Sequence, residues 1–268
     1  AELLIGRGED PRALLLGDRL LVFYCVIDRD DADAVAGSTM MLAEFALADG
    51  RPTLLQAFGL PKNPLQLAAA GDRGAVWEKN WVPFEISPTQ VGLIYSHDPW
   101  HVIALDADPA VEARRFVGHF PGPSLSWRHG HIRGGTPPLP YGDDQLITFF
   151  HSSAVVGSRK VYAVGACLFD RATPYTPRAL TREPLLLAPY NSGAHRFGWP
   201  FAGSVVFPLG AQHETAGYRL LAGLDDGEIA SFLVRDDQLA ERLDPVEAQA
   251  ALHCSDADDG SWSPAGPL

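Results

Sequence analysis

The stretch Gln145-Leu146-Ile147-Thr148-Phe149-Phe150-His151-Ser152 decides the fold. Its apolar and β-branched side chains show no helical period, two polar residues close it, and a second run at 161–170 mixes small and apolar residues. Short runs of this kind between Gly, Asp and Ser turns read as paired strands. Outward from this unit the same pattern recurs, at 14–25 with 38–48, at 81–84 with 91–96 and 102–106, and at 204–207 with 218–223 and 228–234. Units of roughly 50–70 residues built from a few antiparallel strands suit propeller blades better than a solenoid, whose repeats are shorter.

The expectation is therefore all-β, a β-propeller with four blades visible. A fifth would come from sequence before Ala1 or from segments 51–67 and 178–189, so the first blade reads as incomplete. Residues 1–268 are read as one domain. Within it, 236–251 form a peripheral helix with Leu239, Leu243, Val246 and Ala250 on one stripe, and 255–268 form a flexible tail.

A chain of 268 residues, 46% of them hydrophobic, buries one substantial core. Its net charge of −12 repels phosphate backbones, and its Lys and Arg residues are scattered, so nucleic acid is excluded as a partner. The longest apolar run, 20–27, is the length of a strand and far short of the roughly 20 residues that span a bilayer, so no membrane association is expected. Cys25, Cys167 and Cys254 form neither a disulfide framework nor a zinc pattern. The expected compartment is the cytoplasm. The first residue is Ala and no basic-then-apolar leader follows, which reads as truncation or processing and not as a signal peptide.

Several turns carry chemistry-bearing residues. Gly8-Glu9-Asp10-Pro11-Arg12 sets an acidic pair and an arginine at a strand entrance, where propellers gather loops around their central channel. A carboxylic acid there can protonate a leaving oxygen, and the arginine can hold an anion; the same residues also read as a capped turn stiffened by proline. Glu78-Lys79-Asn80-Trp81 combines a cation, hydrogen-bonding groups and an aromatic ring suited to a sugar, or is a solvated loop with one core tryptophan. Arg133 lies in the Gly-rich segment His129-Gly130-His131-Ile132-Arg133-Gly134-Gly135, where backbone can approach a ligand closely. His129 and His131 alternate like metal ligands but lack a third, so no metal is expected. His151 closes its strand and also reads as a core histidine. Asp225 and Asp226 sit in an Asp-Gly hairpin turn that accounts for both.

Taken in order, these motifs resemble glycoside hydrolase family 130, the β-mannoside phosphorylases and hydrolases with related β-mannosyltransferases, which are five-bladed propellers. Gly8 to Arg12 is similar to the family's acid motif. Arg133 to Pro138 with the strand ending in His151 resembles its Arg-Gly-Gly segment. Residues 162–170 resemble its Gly-Ala-Ala-Leu-Leu-Asp strand, Arg182-Glu183-Pro184-Leu185-Leu186 its Arg-Glu-Pro-Ile-Leu turn, and 203–210 with 221–229 its closing blade. The family's first blade has no counterpart before Ala1. Segment 80–106 is closer to the transferase-like relatives, and 189–201 departs from the family pattern.

The resemblance implies that Asp10 is the general acid, acting through a sugar hydroxyl. It implies that Arg12, Lys79, Arg133 and His151 bind phosphate or the donor's anionic group, and that Asp225, with Glu78, Asn80 and Trp81, binds the sugar. The implied reaction is inverting phosphorolysis of β-mannosides to mannose 1-phosphate. Inorganic phosphate is the co-substrate and no cofactor takes part; the partners are an oligosaccharide or mannoside and phosphate, with room for a homo-oligomer. Transfer or hydrolysis on the same fold, and a propeller that only binds glycans or a protein, are the alternatives.

Overall fold

The computed structural model describes residues 8–29, 35–62, 77–110, 114–156, 159–187, 205–225 and 227–247. They form four antiparallel sheets. The first is β1 (Gly8–Leu16), β2 (Arg19–Arg29), β3 (Val35–Ala48) and β4 (Arg51–Gly59) in sequential order. The second repeats that meander with β5 (Val82–Ser87), β6 (Gln90–His97), β7 (Trp100–Asp106) and β8 (Phe116–Pro121). The third is built on the long hairpin of β11 (Gln145–Val156) and β12 (Arg159–Asp170). It is flanked by β9 (His131–Arg133), β10 (Leu139–Tyr141), β13 (Pro177–Thr181) and β14 (Leu186–Leu187), and closed by β18 (Leu243–Pro245). The fourth has three strands, β15 (Val206–Glu214), β16 (Gly217–Leu224) and β17 (Glu228–Arg235).

The sheets are neighbours in a ring. Strand β1 lies against β5 on one side and β15 on the other, β6 meets β9, and β15 meets β11 and β12. Alternation along each strand sends one set of side chains to each face. Between the first and second sheets, Phe23, Leu42, Trp81 and Leu93 form one apolar cluster. Between the second and third, Phe84, Trp100, Phe150 and Phe169 form another, and between the third and fourth, Phe149, Val164, Tyr218 and Leu220 form a third. Phe84 meets Phe169 and Tyr175 edge to face with centroids 5.6 and 5.4 Å apart, contacts that add about 0.5–1.5 kcal/mol each beyond buried area. A buried ion cluster also ties the first two sheets. Arg114 donates to Glu44 Oε1 at 2.7 and 2.9 Å, and Arg19 lies 3.8 Å from Oε2.

Two expectations are corrected. As far as they are described, the segments named for a fifth blade join existing sheets: Arg51–Gly59 is the outer strand of the first, and Pro177–Thr181 and Leu186–Leu187 pair with β12; residues 63–67 and 188–189 lie outside the described residues. The C-terminal helix spans only Asp236–Arg242 and anchors through buried Leu239. Leu243 turns extended because its backbone pairs with Thr181, so sheet formation overrides the helical stripe. Residues 248–251 and the expected tail at 255–268 lie outside the described residues. No described helix is long and apolar enough to cross a membrane.

Candidate functional site

One guanidinium meets the first and fourth sheets and the segments that lead into β5 and out of β9. Arg12, on β1 and 2% exposed, donates from Nε to Gly135 O at 2.8 Å, from Nη1 to Asp10 O at 2.7 Å, and from Nη2 to Gly134 O at 3.0 Å and Asn80 Oδ1 at 3.3 Å. Its Cζ lies 5.4 Å from the ring centroid of Phe207 on β15. Asn80 precedes β5 and Gly134-Gly135 follow β9, so one side chain links the first and fourth sheets to the segments that border the second and third. Burial pulls the Arg12 pKa down to about 10, against the raising effects of Asp10 and Cys25, so it keeps its charge at neutral pH.

The two glycines make this approach possible. A Cβ on Gly134 would stand 2.0 Å from Asn80 O, and one on Gly135 2.0 Å from Phe149 O. Neither contact is sterically allowed, which gives the Gly-Gly pair a reason beyond turn formation.

The acidic stretch, expected as a turn ahead of a strand, lies instead within β1, paired with β2 and bulged between Glu9 and Arg12, and this bulge adjoins the hub. Asp10 adopts φ 52°, the left-handed region that Asp and Asn tolerate better than most residues, and its carbonyl is held by Arg12. Beside it, Lys79 Nζ pairs with Glu9 Oε2 at 3.0 Å. Burial works to lower the Lys79 pKa, but the hydrogen bond to Glu9 and the negative charges of Asp10 and Glu9 outweigh it and hold the ammonium above its ordinary value. Burial pushes the neighbouring Cys25 thiol up to about 11, against the pull of Lys79 and a hydrogen bond with Ser38.

His151 sits opposite Arg133 in the β9–β11 register. Its Nδ1 bonds to Gly134 O at 2.9 Å, and because a carbonyl only accepts, Nδ1 carries the proton. Burial, then the charges of Arg12 and Arg133, push the ring well below its ordinary pKa, so it is neutral and Nε2 is an acceptor. The ring stacks on Tyr162 at 5.9 Å and contacts Phe207 at 4.5 Å. Arg133 is exposed, with no hydrogen bond or ion pair among the described residues.

His97, which sequence reasoning missed, ends β6 within the same electrostatic neighbourhood. It is 1% exposed, and neither ring nitrogen has a hydrogen-bond partner. Burial, with His131 and Arg12 nearby, lowers its pKa to about 3.

The structure thus joins Asp10, Arg12, Asn80 and His151 through shared hydrogen bonds, sets the Lys79–Glu9 pair beside Asp10 and places Arg133 opposite His151 in the register, and it redistributes their roles. Arg12 was expected to bind an anion, but four hydrogen bonds to protein oxygens commit it to holding the sheets. His151 was expected to bind phosphate or the donor's anionic group, and as a neutral ring with its Nδ1 proton engaged it offers only an acceptor at Nε2. Trp81 was expected to offer a sugar-stacking face, yet it is 1% exposed and packs on Tyr95 and Phe116 in the core. Glu78 is buried, its carbonyl accepting from Ser38 Oγ at 3.1 Å. Asp225, with φ 50°, uses Oδ1 to accept from Val205 N at 2.8 Å, which accounts for its place at the β16–β17 turn. Asp226 lies outside the described residues. Phe207 was also missed; as one apolar residue in an apolar strand it carries no local signal.

No protein-family model matches the chain, and no curated protein does. Among solved structures it is similar to the β-1,2-mannobiose phosphorylase of Listeria innocua, solved with β-1,2-mannobiose. That match has a TM-score of 0.58 and 18% identity over 88% of this chain and 60% of that one. The chain therefore spans about three fifths of the phosphorylase's length. Weaker likenesses are a glycosyl hydrolase of Bacteroides ovatus (TM-score 0.46, 13% identity, 90% of this chain and 87% of that one) and the endo-arabinase of Bacteroides thetaiotaomicron (0.45, 11%, 84% and 75%). The fold is that of the mannobiose phosphorylase, in agreement with the resemblance read from the motifs.

Proposed function

We propose that the chain is a carbohydrate-active enzyme of the cytoplasm that catalyses inverting phosphorolysis of β-mannosides on a β-propeller. One observation carries the reading. The acidic bulge of β1, the Gly-Gly segment and the strand with His151, far apart in sequence, are joined through Arg12 and the single carbonyl of Gly134.

In this reading Asp10 gives its proton, through a sugar hydroxyl, to the leaving oxygen while phosphate attacks the anomeric carbon from the opposite face. Arg133 and Lys79 supply the positive charge for phosphate, Lys79 leaving Glu9 to do so. Neutral His151 accepts a hydrogen bond at Nε2, from a sugar hydroxyl or from the P–OH of monohydrogen phosphate. Asn80 and Asp225 border the sugar.

Hydrolysis is the second reading. It is favoured by the commitment of Arg12 and the neutrality of His151, which leave two cations for an anion, one of them already paired. The test is incubation with β-1,2-, β-1,3- and β-1,4-mannobiose, with and without phosphate, followed by phosphorus and proton NMR. Phosphate-dependent release of α-mannose 1-phosphate supports phosphorolysis. Release of mannose without phosphate supports hydrolysis. No cleavage of any β-mannoside overturns both.

A further inference from the structure

The segment Trp77-Glu78-Lys79-Asn80 leads outward from the Arg12 hub, and it is pinned residue by residue. Asn80 Oδ1 accepts from Arg12 at 3.3 Å, and Lys79 Nζ reaches Glu9 at 3.0 Å. Glu78 donates its N–H to Ser38 O at 3.4 Å and accepts at its carbonyl from Ser38 Oγ at 3.1 Å. Trp77 ends the run with an isolated bridge to Ser38 on β3. Exposure alternates along the segment as extended chain requires: Trp77 is exposed, Glu78 buried, Lys79 partly exposed and Asn80 buried. Trp77 and Lys79 therefore stand on the solvent side, where Lys79 meets the acidic bulge of β1. Three residues of chain place the Trp77 Cα no more than about 11 Å from that of Asn80.

This tryptophan differs from the others. Trp81 and Trp100 are 1% exposed and Trp127 5%, whereas Trp77 is 50% exposed. No Phe or Tyr among the described residues is exposed. Lone exposed leucines and valines are ordinary surface, but an indole carries a large apolar face together with an N–H donor. Among the described residues the Trp77 ring has no aromatic partner and its N–H no acceptor. A pinned backbone thus holds a free aromatic face toward solvent, continuous through Lys79 and Asn80 with the candidate site.

We propose that Trp77 is the platform of a rim subsite that takes a neutral sugar unit of an oligosaccharide, beyond the units joined by the bond that is cleaved. The C–H face of the pyranose lies on the indole, and the indole N–H donates to a sugar hydroxyl. The pinned backbone presents the ring with little left to order on binding. The net charge of −12 and the exposed carboxylate of Glu9 favour a neutral sugar over an anionic one. The substrate class is then a chain of three or more neutral sugars. The proposal rests on the reading of the axial site as the place of glycosidic cleavage.

Isothermal titration calorimetry follows β-1,2- and β-1,4-linked manno-oligosaccharides of two to five units on the Asp10→Asn protein, alone and combined with Trp77→Ala or Trp77→Phe. In one of the two linkages, chains of three or more units are expected to bind roughly tenfold more tightly than the disaccharide and to shield one tryptophan from acrylamide quenching. Trp77→Ala should melt within a few degrees of its parent, bring every length to the affinity of the disaccharide and remove the shielded fluorescence. Trp77→Phe should keep part of the length preference. No binding, equal affinity at all lengths, or a length preference that survives Trp77→Ala overturns the proposal. So does a dimer that dissociates in Trp77→Ala with sugar binding unchanged, because the ring then belongs to a contact between copies. Binding does not depend on turnover. A length preference lost in Trp77→Ala, in a chain that cleaves no β-mannoside, upholds the subsite and fails the catalytic reading, and cleavage of mannobiose without any length preference does the reverse.

Discussion

Arg12 and His151 meet on one atom: the carbonyl oxygen of Gly134 accepts from Arg12 Nη2 at 3.0 Å and from His151 Nδ1 at 2.9 Å. A permanent cation and a neutral ring thereby share an acceptor, and the His151 proton is fixed on Nδ1. Stability and chemistry depend on the same few atoms.

Asp10→Asn separates them. Asn tolerates the left-handed backbone and keeps the carbonyl that Arg12 holds, so the melting temperature should stay within a few degrees of wild type. Loss of the acid should lower the rate of mannoside cleavage roughly 10³-fold. Full activity in this variant removes Asp10 from the mechanism.

Arg12→Lys tests the opposite limb. An ammonium on a shorter reach cannot serve Gly134, Gly135, Asp10 and Asn80 together, and each orphaned buried acceptor costs about 1–3 kcal/mol. Equilibrium denaturation in urea should show a loss on the order of 3–5 kcal/mol. A stable Arg12→Lys protein with weakened phosphate binding would return Arg12 to the role of anion ligand.

Glycine substitutions probe the close approach. Gly134→Ala and Gly135→Ala place a methyl 2.0 Å from a backbone oxygen and should each cost about 3 kcal/mol or more. Gly210→Ala, where nothing lies within 4 Å, should stay within about 0.5 kcal/mol of wild type. Similar melting curves for all three would contradict the geometry.

Buried His97 and His151 set the acid side of the stability profile. Both are depressed in the folded state, so below the ordinary value of 6.5 the unfolded chain takes up protons that the native protein refuses. Stability should be constant above about pH 6.5 with respect to these groups. It should then fall by about 1.4 kcal/mol per pH unit for each histidine as the pH drops, for His97 down to about pH 3. His97→Phe, which also removes the interaction with His131 and Arg12, should make the slope shallower by one proton, read from urea titrations between pH 4.5 and 7.5.

The strands were legible because an apolar run such as 145–152 has one simple reading, and hairpin partners lie close in sequence. The Asp10, Arg133 and His151 segments were legible as motifs. What was not legible depends on contacts across the ring. Arg12 reads locally as a free cation, and only the distant carbonyls of Gly134 and Gly135 show that its donors are engaged. Trp81 next to Lys79 and Asn80 reads as a ligand platform, but just ahead of β5 its ring packs into the core against Tyr95 and Phe116, one from β6 and one from β8. The helical stripe at 236–251 was real in pattern and lost at Leu243 to pairing with Thr181, which no local window contains.

Strand β18 has a consequence for synthesis. It completes the sheet that carries Arg133 and His151, but it is made after the whole fourth sheet. On the ribosome, β13 therefore waits with an unpaired backbone edge until Leu243–Pro245 emerges. A message cut short just before that point would release chains with an open, adhesive flank, making early termination there a route to aggregates rather than to a slightly shorter working protein.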